Sequence, residues 1–216
     1  GAKTARVLLR PHTRLAGRVL NAAGRPVADT TVILFNEDQD ESTATTTDAE
    51  GRYKFVIHQP SNDDAQIVAT APGLAPSLLR VRLNRLATGL DFTLGPGQPF
   101  TMRLADGEGV ALPGVAVSLF RWQNSRALPW TTVTDAQGRF TWANAPTGAV
   151  TWRFEKTGFI NHTHSMTLPQ KGEASFTYNR PIRIAGRVLD AATQRPLDSF
   201  RYRVNYEYAN GSGSTS

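Results

Sequence analysis

The chain has 216 residues, of which 40% are hydrophobic and 19% charged, with no cysteine and a formal net charge of +6. This composition is typical of a folded globular protein, and the lack of cysteine excludes disulfides, zinc–thiolate centres and thiol catalysis. No apolar run approaches the ~20 residues that a membrane-spanning helix needs, so we predict no transmembrane segment. The basic residues are scattered and accompany no nucleic-acid-binding motif, so we predict no nucleic-acid partner.

Short runs of alternating apolar and polar residues, separated by Gly, Pro, Asn and Asp, predict strands and no sustained helix. For example, Tyr53, Phe55 and Ile57 alternate with Arg52 and Lys54, which is the pattern of a half-buried strand. The strands predicted in the first part of the chain are Arg14–Asn21, Thr30–Asn36, Ser42–Thr47, Gly51–His58, Ala65–Ala71, Leu78–Leu83 and Leu90–Leu94.

The same kind of pattern continues through the rest of the chain. The strands predicted next are Phe100–Ala105, Val115–Gln123, Trp130–Thr134, Arg139–Trp142, Ala149–Lys156, His164–Leu168 and Ala174–Tyr178, and after them come only Arg183–Leu189 and Phe200–Tyr208. Two strands cannot form a stable core alone, so we expect either that they pack against the preceding repeat or that the natural protein continues beyond them.

The sequence also repeats itself, with a period of about 85 residues. Residues 47–53 return at 134–140, where each copy predicts a turn, because an Asp bonds the nearby backbone and a Gly tolerates positive φ. The opening strand returns near the end of the chain, and we expect the chain to be a piece of a longer protein. The predicted domains are repeat 1 at residues 1–95, repeat 2 at 96–180 and the start of a third, incomplete repeat at 181–216.

Seven short strands at spacings of about ten residues favour a β-sandwich. The predicted fold is therefore all-β, with tandem seven-stranded antiparallel β-sandwiches followed by a truncated third repeat.

Several short motifs of the two repeats resemble those of the carboxypeptidase regulatory-like domain family. They are Gly17–Val19, Gly24–Val27, Thr47–Phe55 and Ala71–Leu74 in repeat 1, and Leu112–Val115, Thr134–Phe140 and Lys156–Phe159 in repeat 2. Repeat 2 departs from the pattern at its opening glycine, which Phe100–Leu104 lacks. The resemblance implies a prealbumin-like (transthyretin-like) sandwich.

Domains of this family occur as accessory modules, so the resemblance indicates fold more strongly than function. It implies a non-catalytic accessory or structural module of a bacterial cell-envelope or secreted protein, outside the cytoplasm. The expected partners are other domains of the parent protein, with a glycan or an envelope protein as a further partner. A regulatory ectodomain of a larger enzyme or sensor is an alternative.

Few residues suggest chemistry, and we predict no catalytic residue, no metal site and no cofactor. His162 and His164 have a spacing that a metal could use, but a structural zinc site needs about four ligands, so we interpret both as solvated loop residues. The acidic run 36–41 lacks the glycine and spacing of a calcium-binding EF-hand loop, and we interpret it as a solvated loop.

All four tryptophans lie in repeat 2. Trp142 aligns with Phe55 of repeat 1 and Trp152 aligns with Ile67, so both are predicted to lie in the core. Trp122 instead aligns with a polar position, Glu37, which leaves its role open.

The candidate binding residues surround the connection at residues 123–129. Trp122 and Trp130 flank this connection, and the candidate site adds Gln123, Asn124 and Arg126. Aromatic faces beside such polar groups suit stacking on sugar rings, which would make the protein a carbohydrate-binding module. The same residues equally suit packing against the next domain or closing the edge of the sandwich.

Overall fold

The structure, a computed structural model, describes residues 13–58, 63–84, 86–180, 185–201, 204–208 and 211–215. The chain divides into two compact units, residues 1–180 and 181–216. Repeats 1 and 2 both lie in the first unit; residues 1–12, with which the predicted repeat 1 begins, lie outside the described residues. Every regular element in the described residues is a β-strand, which confirms the all-β class. No helix among them is long and apolar enough to cross a membrane.

The described part of each repeat forms seven strands. Those of repeat 1 are β1 (Thr13–Asn21), β2 (Thr31–Asn36), β3 (Glu41–Thr46), β4 (Arg52–Ile57), β5 (Asp64–Thr70), β6 (Ser77–Arg82) and β7 (Phe92–Leu94). Those of repeat 2 are β8 (Gln98–Ala105), β9 (Ala116–Trp122), β10 (Thr131–Val133), β11 (Arg139–Ala145), β12 (Gly148–Glu155), β13 (His162–Leu168) and β14 (Ala174–Thr177).

Each repeat pairs a three-stranded sheet with a four-stranded sheet, and the strand order is the same in both. Repeat 1 has the sheets β4-β1-β7 and β3-β2-β5-β6, and repeat 2 has β11-β8-β14 and β10-β9-β12-β13. Each strand of repeat 2 thus occupies the place of the strand seven positions earlier in the chain. The repetition in the sequence is therefore a repetition of topology.

One pairing in each repeat differs from the antiparallel arrangement predicted. β7 lies parallel to β1, and β14 lies parallel to β8. The strand before β7 belongs to the opposite sheet, so the chain crosses over before it returns beside β1. A crossover of this kind is what permits a parallel pair.

The strand alternation places the core of repeat 1 between its two sheets. Tyr53 and Phe55 on β4 are buried whereas Arg52 and Lys54 are exposed, as their pattern predicted. They pack in one buried cluster with residues of both sheets, which include Leu15, Val19, Val32, Leu34, Ile67 and Phe92.

The core of repeat 2 is richer in aromatic rings. Trp142 is 7% exposed and Trp152 is fully buried, which confirms the core positions predicted for both. The Trp152 ring lies parallel to Phe100 with centroids 5.6 Å apart, and edge-on to Phe140 at 5.4 Å. Such pairs stabilise beyond their buried area.

The predicted turns form as expected. Asp48 Oδ1 accepts hydrogen bonds from the backbone N–H of Glu50 and Arg52, at 3.1 and 2.7 Å. Gly51 has φ of 71°, and a Cβ there would lie 2.5 Å from the carbonyl oxygen of Val19. Glycine is therefore required at this turn both for its backbone conformation and for space.

The second unit departs from the strands predicted for it. Residues 185–189 of the predicted strand Arg183–Leu189 form no strand, apart from a single bridge between Leu189 and Pro196, and residues 183 and 184 lie outside the described residues. In repeats 1 and 2 the first strand is held between two others, and no such neighbours flank residues 185–189 in the described part of this unit. The regular structure there is β15 (Val204–Tyr208), paired antiparallel with β16 (Gly211–Thr215).

Gly17→Ala should destabilise the protein by about 1–3 kcal/mol, the usual range for overpacking. A Cβ at Gly17 would lie 2.0 Å from the carbonyl oxygen of Leu90, whose N–H is bonded to the backbone of β1. Urea denaturation measures the effect. The matched control is Gly186→Ala in the repeated motif, where a Cβ meets nothing within 4 Å, and it should change stability by less than about 0.5 kcal/mol. Equal stability of the two variants would contradict this.

Candidate functional site

The candidate residues Gln123 and Asn124 form the tip of a tight hairpin that follows β9. The backbones of Trp122 and Ser125 exchange two hydrogen bonds of 2.9 Å each around them. Gln123 and Asn124 have φ of 49° and 61°, and positive φ at both central residues matches the right-handed twist of the flanking strands. The connection at 123–129 therefore begins with a well-defined turn.

Both candidate tryptophans pack inside repeat 2. Trp122 is 2% exposed, and its indole Nε1 donates to the carbonyl oxygen of Thr147 at 2.9 Å. Trp130 is half-buried and stacks on Trp142, with centroids 4.8 Å apart, while meeting Trp152 edge-on at 5.5 Å. Trp122 thus presents almost no ring surface to a ligand. Ligand binding by the five candidate residues stays a prediction.

The hairpin at residues 122–128 belongs to a contact region between the two repeats, which we call the joint. The apolar surface that repeat 1 contributes to the joint lies on the outer face of the sheet β3-β2-β5-β6, on strands β2 and β5. Phe35 on β2 and Val68 on β5 are 7% and 0% exposed, and both belong to the buried cluster of repeat 2, together with Ala127 and Leu128. Side chains on the opposite face of the same two strands fill the core of repeat 1, so β2 and β5 are buried on both faces, whereas the edge strand β3 is exposed.

A buried polar contact lies beside this apolar surface. Ser125 is 1% exposed, and its Oγ donates to Oε1 of Gln66 at 2.7 Å while accepting from the N–H of Ala127 at 3.0 Å. Gln66 in turn donates from Nε2 to Glu37 at 3.3 Å. A buried polar group costs free energy unless it is bonded, so these partners select one relative position of the two repeats.

Ion pairs surround the buried contact. Arg121 donates to Glu37 at 2.8 Å, and Arg126 pairs with Asp40 at 3.1 Å while its guanidinium lies 5.6 Å from the Phe35 ring. Arg80 of repeat 1 donates to the carbonyl oxygen of Gln123. The candidate residue Arg126 is thus engaged by repeat 1.

These arginines change the pKa of the Glu37 carboxyl. The hydrogen bond from Arg121 lowers the pKa of Glu37 below 4.5, and the bond from Gln66 and the charges of Arg121 and Arg126 act in the same direction against desolvation. Glu37 belongs to the acidic run 36–41, and its half-buried, paired carboxyl departs from the interpretation of that run as a solvated loop, whereas Asp40 is exposed, as that interpretation expects.

The linker between the repeats is short and is held on both sides. The carbonyl oxygen of Gly95 accepts from the N–H of Ala75 at 2.9 Å, and Pro96 forms a bridge with Leu74. On the other side, a Cβ on Gly97 would lie 2.3 Å from Cα of Asn144 in repeat 2. The linker therefore has little space in which to bend.

The two histidines lie elsewhere in repeat 2. His162 and His164 belong to β13 and not to a loop, and both rings lie against Phe176, with centroids 5.1 and 4.6 Å away. Desolvation, and after it the charge of His162, lowers the pKa of His164 below 6.5. Within the described residues, no group of three or more His, Asp or Glu side chains is placed to bind a metal ion.

Sequence reasoning missed the residues of repeat 1 that form the joint. One signal could have found them: β2 and β5 carry apolar residues on both faces, as strands covered on both sides do. A second signal was charge. The acidic residues of the run 36–41 and the arginines at 121 and 126 have opposite charges and could form ion pairs.

Comparison of the chain with known protein families agrees with the resemblance that the sequence motifs indicated. A sequence model of the carboxypeptidase regulatory-like domain matches residues 14–95 and 101–178, so the predicted resemblance is confirmed. No curated protein matches the chain.

Several solved structures are similar to the chain at low identity. A Streptococcal ancillary pilin is 13% identical with a TM-score of 0.39, and the match covers 80% of this chain and 63% of the pilin. GBS52, the minor pilin of Streptococcus agalactiae, is 14% identical with a TM-score of 0.36, covering 81% of this chain and 100% of that one. The shaft pilin SpaA from Lactobacillus rhamnosus GG is 10% identical with a TM-score of 0.33, again covering 81% and 100%.

Ser125→Ala should destabilise the protein by about 1–3 kcal/mol, because it leaves buried Oε1 of Gln66 and the N–H of Ala127 without their partner. Chemical denaturation measures the loss. The control is Ser165→Ala, which removes an exposed hydroxyl that is bonded to the hydroxyl of Thr151 at 2.9 Å, and should cost less than about 0.5 kcal/mol. A loss for Ser125→Ala no larger than that of the control would contradict the buried contact.

The contribution of Glu37 to stability should depend on pH. Because its pKa is lower in the folded protein than the ordinary 4.5, its stabilising effect is fully present above pH 4.5 and is lost as pH falls through the lowered value. The difference in free energy of unfolding between the wild type and Glu37→Gln, measured against pH, should stay constant near neutral pH and shrink below 4.5. Glu108→Gln, at an exposed position outside the joint, is the control. A Glu37→Gln difference independent of pH would refute the assignment.

Proposed function

We propose, from the premise that the chain belongs to the carboxypeptidase regulatory-like domain family, that residues 13–180 are a rigid, non-catalytic spacer. In this role two sandwiches at a fixed relative position separate or present other parts of a larger protein. The proposed setting is a bacterial cell-envelope or secreted protein, outside the cytoplasm, and the proposed partners are other domains of that protein. The use of this family as accessory modules supports the proposal.

The joint is the observation that carries the proposal. Domains joined by a polar, loosely packed interface move relative to one another by default. Here the contact includes the buried side chains Phe35 and Val68, a buried hydrogen bond between Ser125 and Gln66, and a linker in van der Waals contact with Asn144. These three features together favour one orientation of the repeats.

The contacts of the candidate residues also fit this role. Arg126 and the backbone of Gln123 bind repeat 1, and Trp122 is buried beneath the hairpin that they form. The side chain of Arg126 and the backbone of Gln123 thus support a contact between the repeats. Glycan binding at these residues stays the alternative, and a glycan titration followed by tryptophan fluorescence would detect it.

Rigidity can be tested by electron–electron distance measurements between spin labels on the two repeats. The chain has no cysteine, so Ser42→Cys and Thr163→Cys, both at exposed positions, give one label on each repeat. We expect a single narrow distance distribution in the otherwise wild-type protein. Arg121→Gln combined with Arg126→Gln should broaden it, because the ion pairs with Glu37 and Asp40 are lost.

The control for this measurement is Arg153→Gln, which removes a guanidinium of repeat 2 outside the joint and should leave the distribution unchanged. A broad distribution in the wild type would refute the rigid spacer. A distribution that stays narrow in the double variant would show that the ion pairs do not maintain the orientation.

A further inference from the structure

A cleft of about 750 Å³ lies on repeat 1, away from the hairpin. Its lining comes from β1 and β4, from the end of β3, and from the segment that precedes β7. Leu15 and Val19 on β1 point into the core, so Ala16 and Arg18 lie on the outer face of the sheet, beside Lys54 of β4. The cleft is within the size range of small-ligand sites.

The strand register brings three cationic side chains, Arg18, Arg52 and Lys54, to this cleft, whose lining also holds the carboxylates of Asp48 and Asp91. Arg18 lies directly opposite Arg52, and Ala16 lies opposite Lys54. Like charges in directly opposed positions destabilise a sheet unless they are compensated. Arg52 is compensated, since it pairs with Asp48 at 3.0 Å and with Glu50 at 2.7 Å.

Arg18 and Lys54 are not compensated in this way. Among the described residues, neither side chain makes a hydrogen bond or an ion pair. The nearby carboxylate of Asp91 accepts a hydrogen bond from the backbone N–H of Arg18, at 2.8 Å, and forms no ion pair with its guanidinium. Two cationic groups therefore remain available on the floor of a cleft.

The same place in repeat 2 is arranged differently. Arg103 lies directly opposite Arg139, in the register of Arg18 and Arg52. Arg103 donates to the carbonyl oxygen of Gly109 at 3.1 Å, and Arg139 pairs with Glu173. The position of Lys54 is taken by Thr141, which bonds the hydroxyl of Thr101 at 3.0 Å. At these equivalent positions, the side chain of Arg103 in repeat 2 is hydrogen-bonded, whereas that of Arg18 in repeat 1 is not.

We propose that the cleft of repeat 1 binds a phosphate group, either free or as the ester of a larger molecule. A guanidinium offers a planar fork of donors to such an oxyanion, and an ammonium adds a compact charge. The hydroxyls of Thr45 and Thr88 line the same cleft and can donate to further oxygens. A phosphate has enough acceptor oxygens for all of these donors, whereas a carboxylate has two oxygens.

Binding can be measured by isothermal titration calorimetry of the full chain at low ionic strength, with inorganic phosphate and glycerol 3-phosphate as probes. We expect both to bind, and affinity to fall as salt is added. Arg18→Gln combined with Lys54→Gln should weaken binding about tenfold or more, which is the loss typical of charged hydrogen bonds. The matched control is Arg103→Gln in repeat 2, which should leave affinity unchanged. Tighter binding of the ester indicates a larger natural ligand, and equal binding indicates that the phosphate group alone is recognised; both results support the site.

A second variant tests whether negative charge in the cleft opposes phosphate binding. Asp91→Asn keeps the acceptor oxygen for the N–H of Arg18 but removes a negative charge from the lining, so it should tighten phosphate binding. Circular dichroism confirms that each variant is folded. The proposal is overturned if neither probe binds, if acetate binds as tightly as phosphate, if the Arg18 and Lys54 substitutions have no effect, or if Asp91→Asn weakens binding.

Discussion

The two central strands of the four-stranded sheet of repeat 1, β2 and β5, are buried on both faces, and the arrangement of residues 13–180 depends on this. Val32 and Ile67 point into the core of repeat 1, whereas Phe35 and Val68, on the same two strands, are buried against repeat 2. Exposing that second face to water would cost roughly 25 cal/mol for each Å² of apolar surface. Burial of this apolar surface stabilises the contact, and the hydrogen bond between Ser125 and Gln66 fixes the relative position of the two repeats.

Much of the fold could be predicted from the sequence because its signals are local. Alternation within β4 identified its buried face, and the Asp and Gly of the turn before it carry their own backbone chemistry. Internal repetition supplied the rest, since Trp142 and Trp152 could be assigned to the core from the positions of Phe55 and Ile67. The parallel pairing of β7 was missed because it depends on a crossover between sheets, which alternation does not report.

The role of Trp122 could not be predicted because of a β-bulge. β2 pairs with β5 in unbroken register, whereas the register of β9 against β12 shifts by one residue between Trp152 and Thr151. A shift of one residue moves the following side chains to the other face of a sheet. Trp122 is therefore buried, although simple alignment matches it with the polar Glu37, and nothing in the local sequence marks the bulge.

The two repeats use the same outer face in different ways, and a single exchange accounts for much of the difference. Phe120 aligns with Phe35 at the 85-residue spacing of the repeat, and Arg153 occupies the place of Val68, since Arg153 lies opposite Ser118 as Val68 lies opposite Ile33. The guanidinium of Arg153 lies 4.4 Å from the centre of the Phe120 ring, and that of Arg121 lies 5.6 Å away. An arginine covers apolar surface with its stem while its charged end stays hydrated. Val68 therefore leaves an apolar surface on repeat 1 that the hairpin at residues 122–128 covers. Arg153 at the equivalent position gives repeat 2 a surface that can remain in contact with water.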